Sequence, residues 1–125
     1  MSLSVSVVYL TKNGGELFAS SLEAVLMQEY EGVVEVVAVD SGSTDGTLAL
    51  LERSAVRLFQ VQPQDFNFGL TRDYGFSLAK GEIIIPISQD AIPVGTDWLA
   101  RLVKPFADPQ VAVVQGCDTP NINTE

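Results

Sequence analysis

The chain has no histidine and a single cysteine, Cys117, in 125 residues. The first absence excludes a histidine general base, a Ser-His-Asp triad and an imidazole-bound zinc. Any metal must be held by oxygen ligands, which favours Mg²⁺, Mn²⁺ or Ca²⁺. The second excludes an intrachain disulfide and, with no sign of export, makes a reducing cytosol the default compartment. Without a histidine partner, Cys117 is a poor candidate for a catalytic thiol. Positive charge is also scarce: seven Lys and Arg stand against 16 Asp and Glu, a net charge of −9. Nucleic-acid binding needs clustered cations and is disfavoured. An acidic protein that takes a phosphorylated ligand must bring an arginine or a metal to one place. No apolar run approaches the roughly 20 residues of a membrane span. The apolar N-terminus lacks a basic flank and a small-residue cleavage site, so it reads as a strand and not a signal peptide.

What is present is a chain that is 46% hydrophobic and 18% charged, enough to build one core. Residues 1–125 read as a single domain. Short β-branched runs alternate with helical spacing. Strands are expected at Val5–Leu10, Val33–Val39, Val56–Val61, Glu82–Ile87 and Val111–Gln115. Helices are expected at Leu17–Glu29, Thr44–Arg53 (with Ser43 as N-cap), Gly69–Ala79 and Trp98–Phe106. The third helix should bury Leu70, Tyr74 and Leu78 and close at Gly81. The fourth should turn Leu99, Leu102, Val103 and Phe106 inward. Pro86 removes a ladder donor, which points to a bulge or an edge strand. The alternation implies an α/β fold, a doubly wound and mainly parallel Rossmann-like sheet.

In such sheets ligands bind beyond the carboxyl ends of the strands. Val37-Ala38-Val39-Asp40-Ser41-Gly42-Ser43-Thr44-Asp45-Gly46-Thr47 runs from strand through tight turn to helix, with a carboxylate where the strand stops. Thr11, Asp40 and Asp90 all fall at strand ends, and Asp40 with Asp90 form the expected shared site. A carboxylate following an apolar strand, as Asp90 does, suits a hard metal together with diphosphate oxygens. Arg72 could grip phosphate with its fork, or simply pair with Asp73. Asp45 could act only as a helix-end residue. Phe66 and Phe68 could line a pocket. Rival motifs fail: Asn13-Gly14-Gly15-Glu16 is no dinucleotide fingerprint, no P-loop occurs, and the Asp40 segment lacks the Gly and Glu of a calcium loop.

Five segments occur in the order seen in family 2 glycosyltransferases, which have the GT-A fold. They are Val5–Asn13, Asp40–Thr47, Thr71–Gly75, Ala79–Glu82 and Gln89–Pro93. The resemblance covers about Ser4 to Pro120. It implies inverting transfer of a sugar from a nucleoside diphosphate sugar to a saccharide or lipid-linked acceptor, in polysaccharide biosynthesis. It also implies that Thr11, Asn13, Asp40, Ser41, Arg72, Gln89 and Asp90 bind the nucleotide sugar. Asp90 would hold Mg²⁺ or Mn²⁺ as the last residue of the family's D-x-D motif. Here that motif reads Ser88-Gln89-Asp90. Together with Phe66-Asn67-Phe68-Gly69-Leu70-Thr71-Arg72, this resembles the rhamnosyltransferase branch, although that branch often has histidine where this chain has Phe68. The implied donor is then dTDP-rhamnose, otherwise a UDP-sugar. The implied location is the cytoplasm, free or at the inner membrane face.

The family's catalytic base lies on a later segment, expected beyond residue 125. The chain is therefore expected to be the donor-binding half of a transferase, inactive or weakly active alone. A non-catalytic nucleotide-sugar-binding or interaction module on the same fold is the alternative.

Overall fold

In a computed structural model, residues 2–107 are described. The elements alternate as the apolar pattern predicts. They are β1 (Val5–Thr11), α1 (Gly15–Leu26), β2 (Val34–Asp40), α2 (Thr47–Glu52), β3 (Arg57–Gln60), α3 (Phe68–Leu78), β4 (Ile83–Ile87) and α4 (Trp98–Val103). One-turn 3-10 segments lie at Pro63–Asp65 and Lys104–Ala107. The expected strand at 111–115 lies outside the described residues.

The strands form one parallel sheet in the order β3-β2-β1-β4. The first two crossovers step one way, and the third carries the chain back past β1. With right-handed crossovers, that reversal sends α3 to the opposite face from α1 and α2. The packing agrees. Val5, Val7, Tyr9, Val36, Ala38, Ile83 and Ile85 share a core with Phe18, Leu22, Val25, Leu51, Leu99 and Val103. Gly75 of α3 instead meets Val8 and Val39, which point the other way along the pleat. The direction of winding thus changes between β1 and β4, where an open α/β sheet forms its crevice. Pro86 pairs with Val8 on β4, the outermost strand on that side among the described residues, so among those residues its missing donor costs no ladder bond.

Several local expectations change. Helix α3 buries Thr71 and Gly75, while Leu70 is 71% exposed and Tyr74 42% exposed. A Cβ on Gly75 would sit 2.9 Å from Val8 Cγ1, so the helix backbone lies close to the sheet and small residues occupy the contact. Helix α2 starts at Thr47 after Gly46, and Ser43 is not its cap. Gly81 does not close α3, whose cap is Ala79. A Cβ on Gly81 would lie 2.6 Å from the Ser6 nitrogen, so glycine is required by close approach to β1. Helix α4 matches expectation, with Leu99 and Val103 buried and Leu102 and Phe106 packed against the core. No helix among the described residues is long and apolar enough to cross a membrane.

A polar staple closes the amino-terminal end of the sheet. Glu35 accepts from the Ser6 hydroxyl, from the Arg57 guanidinium at 2.8 Å and from the Lys80 N–H at 2.6 Å. Burial works to raise this carboxyl's proton affinity. The Lys80 N–H, the Ser6 hydroxyl and Arg57 together outweigh burial and hold it below the ordinary range. A value lower in the folded than in the unfolded chain stabilises the fold above the unfolded value, about 4.3. That stability is lost as pH falls through the folded value. Glu35→Gln is therefore expected to cost about 1–2 kcal/mol near neutrality. The gap to the native chain should close below about pH 4, as read by thermal unfolding from pH 7 to 3. A gap independent of pH would refute the assignment.

Candidate functional site

The carboxyl ends of β1 and β2 are joined by one hydrogen-bonded network. Thr11 and Asp40 are register partners. Asp40 is fully buried, and its carboxylate accepts four bonds. The Thr11 and Ser43 hydroxyls donate to Oδ2 at 2.8 and 2.6 Å, and the Gly42 and Ser43 N–H groups donate to Oδ1 at 2.9 and 2.8 Å. A carboxylate has about four acceptor directions, so this one is saturated internally. The turn it ties down passes through Gly42, whose φ of +98° favours glycine. A Cβ there would also strike the Pro63 ring at 2.4 Å.

Asn13 stitches the same turn from the other side. Its side-chain oxygen accepts from the Thr44 N–H at 2.7 Å, and its own N–H donates to the Ser43 hydroxyl at 2.9 Å. Its backbone is left-handed, at φ 48°, which asparagine tolerates. The Gly14 and Gly15 N–H groups are taken by Thr47 Oγ1 and Asp45 Oδ2. The glycine pair is therefore not an open anion nest, in keeping with the missing dinucleotide motif. Asp45 also accepts from the Thr47 N–H at 2.9 Å. Bonds from Thr47 foremost hold its carboxyl below the usual range.

Past β4, Gln89 clamps the β1–α1 loop. Its amide accepts from the Lys12 N–H at 2.9 Å and donates to the Lys12 carbonyl at 3.1 Å. The Ser88 hydroxyl donates to Asp90 Oδ1 at 2.6 Å.

Between these loops and the start of α3 lies a crevice of about 600 Å³, within the range of small-molecule sites. Thr11, Lys12, Ser41, Pro63, Phe66, Phe68, Arg72, Phe76, Ser88 and Gln89 form its polar and aromatic walls, floored by Val8, Leu10, Pro86 and Ile87. Those fourteen residues include two cations and no carboxylate, in a chain of net charge −9. The Arg72 guanidinium carbon lies 5.7 Å from the Phe68 ring centre and 5.9 Å from that of Phe76. Asp73 is 3.9 Å away and exposed, a weak partner. Of the expected site residues, Thr11, Ser41, Arg72 and Gln89 line the crevice. Asn13 and Asp40 stand behind its wall, and Asp90 follows just past Gln89. Asp40 and Asp90 stand at the same strand-end edge, at the end of β2 and just past β4, with β1 between those strands.

Lys12, Pro63 and Phe76 line the crevice beside the residues that the sequence points to. Spacing of four residues along α3 was the available signal for Phe76; none marked Lys12 or Pro63. Among the described residues no group of three or more His, Cys, Asp or Glu is placed to hold a metal. Asp90 fits as one ligand of a site that substrate oxygens and water would complete.

Residues 6–125 match the family Glycosyl transferase family 2. The chain is 32% identical over 123 residues to the O-antigen chain rhamnosyltransferase RfbN of Salmonella typhimurium, covering 95% of this chain and 38% of that protein. It is 28% identical over 119 residues to the O-antigen chain rhamnosyltransferase WbaN of Salmonella anatum, covering 94% and 38%. It therefore spans 38% of the length of these relatives. Among solved structures, it superposes on the mannosyltransferase PcManGT from Pyrobaculum calidifontis, in complex with GDP-Man and Mn²⁺. The TM-score is 0.77 and the identity 30%, over 89% of this chain and 34% of that one. The fold is thus that of GT-A glycosyltransferases.

Proposed function

The chain belongs to glycosyltransferase family 2, and from that premise we propose that its crevice binds the donor, a nucleoside diphosphate sugar, for inverting transfer to a saccharide or lipid-linked acceptor. The observation that carries this reading is the charge of the crevice. Among the described residues its wall includes Lys12 and Arg72 and no carboxylate, in a strongly acidic chain. A diphosphate is the group such a wall suits.

In this reading Thr11, Ser41 and Pro63 face the nucleoside, and Arg72 and Lys12 face the diphosphate. Asn13 and Asp40 shape the nucleoside wall. Asp40 reaches a ribose or base only where the Thr11 or Ser43 hydroxyl gives way. Gln89 fixes the Lys12 backbone, and Asp90 would hold Mg²⁺ or Mn²⁺ as its protein ligand. The Mn²⁺ in the PcManGT complex supports that choice of metal. The metal would supply charge neutralisation on the leaving diphosphate. The rhamnosyltransferase relatives favour dTDP-rhamnose as donor.

Transfer breaks the bond from the anomeric carbon to the phosphate oxygen and forms one from that carbon to the acceptor oxygen. The electron pair leaves with the diphosphate, and Lys12 and Arg72 stabilise it there. The acceptor's proton passes to a general base, and among the described residues no carboxylate lines the crevice to take it.

The test is thermal unfolding with dTDP, UDP or GDP, each with and without Mn²⁺, for the native chain and Asp90→Asn. Ligand at about a hundred times its dissociation constant should add about 2.7 kcal/mol. One nucleotide is expected to raise the midpoint, and more so with Mn²⁺. Asp90→Asn is expected to remove the metal-dependent part of that rise. If no nucleotide raises the midpoint in either condition, the donor reading falls and the non-catalytic interaction module replaces it.

A further inference from the structure

Phe68, Arg72 and Phe76 stand four residues apart on α3 and so share one stripe of the helix. The adjoining stripe, Thr71 and Gly75, is buried against the sheet, which turns the Phe-Arg-Phe ladder along the crevice. Both rings lie within 6 Å of the Arg72 guanidinium carbon, at 5.7 and 5.9 Å. Phe68 is 61% exposed, so its ring does not serve the core. The competing partner of Arg72 is Asp73, 3.9 Å away and outside the crevice wall.

We propose that Phe68 and Phe76 are positioning residues for the donor's diphosphate: their rings hold the Arg72 fork over the crevice. A long cationic side chain loses much rotamer freedom when it binds. A fork that already rests against two rings loses less, and it meets the phosphate oriented. The rings act through Arg72, not on the ligand. This inference rests on the donor reading above and goes further by naming what makes Arg72 effective.

Titrations of dTDP and thymidine, with UDP and uridine as the second pair, test it in the presence of Mn²⁺. The variants are the double Phe68→Leu/Phe76→Leu, the double Phe68→Tyr/Phe76→Tyr, and each in an Arg72→Gln background. Leucine keeps apolar bulk but removes the ring face; tyrosine keeps the face. The double leucine variant is expected to weaken diphosphate binding about five- to tenfold and leave nucleoside binding within about twofold. The double tyrosine variant should bind as the native chain does. In the Arg72→Gln background the leucine changes should add nothing. Equal loss for nucleoside and diphosphate, or the same loss without Arg72, would overturn the inference. So would an unchanged double leucine variant in a chain that binds diphosphate, and that result leaves the donor reading standing. A native chain that binds neither diphosphate overturns the donor reading and this inference with it.

Discussion

Asp40→Ala is expected to destabilise the protein by about 3–5 kcal/mol, the largest loss from any single site residue. Four donors converge on this buried carboxylate, and alanine leaves all of them without their acceptor. Two are backbone N–H groups of a turn pinned between Pro63 and the end of β2, so they cannot simply rotate toward water. The Thr11 and Ser43 hydroxyls can rotate. Asp40→Asn is therefore expected to cost only about 1–2 kcal/mol: its oxygen serves the two N–H groups, and its NH₂ donates to the two hydroxyls. Urea and thermal unfolding of both variants measure the difference. Alanine and asparagine variants of equal stability would mean that the four-bond network is not what Asp40 contributes. The same network predicts that Asp40→Asn keeps most donor affinity, because the wall it shapes survives.

Arg72→Gln should behave in the opposite way. Its side chain is 45% exposed and its ion pair with Asp73 is long, so stability without ligand is expected to move by less than about 0.5 kcal/mol. Affinity for the nucleoside diphosphate is expected to fall about 10- to 100-fold, the worth of a charge-assisted bidentate contact. Affinity for the bare nucleoside should hold. Arg72→Lys keeps the charge but not the planar fork, nor its contact with two rings, and should fall between. Calorimetric titration at two salt concentrations separates these terms, since the charge contribution shrinks with ionic strength. An Arg72→Gln chain that binds diphosphate as tightly as the native one would remove Arg72 from the site. One that unfolds far more readily would make it a structural residue.

The two variants contrast a residue that builds the wall, Asp40, with one that faces the crevice, Arg72. Nothing in the sequence separated them. Asp40 and Arg72 are both charged residues beside apolar segments. Only the parallel pairing of Thr11 with Asp40 brings a hydroxyl and a turn onto the carboxylate. Likewise, Gln89 looks in sequence like a neighbour of a metal ligand, yet β1 and β4 ends bring its amide onto the Lys12 backbone.

The sequence by itself determined the order of strands and helices, because β-branched runs and three- and four-residue spacing are local properties of the chain. It also determined that Asp40 stands at a strand end, and that any metal would need oxygen ligands. The tertiary structure decided which stripe of each helix meets the sheet. Periodicity marks a stripe, but α3 could approach β1 and β2 closely only through Thr71 and Gly75, which left Leu70 and Tyr74 outside. It decided, too, where the scarce positive charge lies. Lys12 and Arg72 are far apart in the chain and share a wall only because the winding reverses between β1 and β4. That reversal is a property of how strands pair at long range, and no local pattern encodes it.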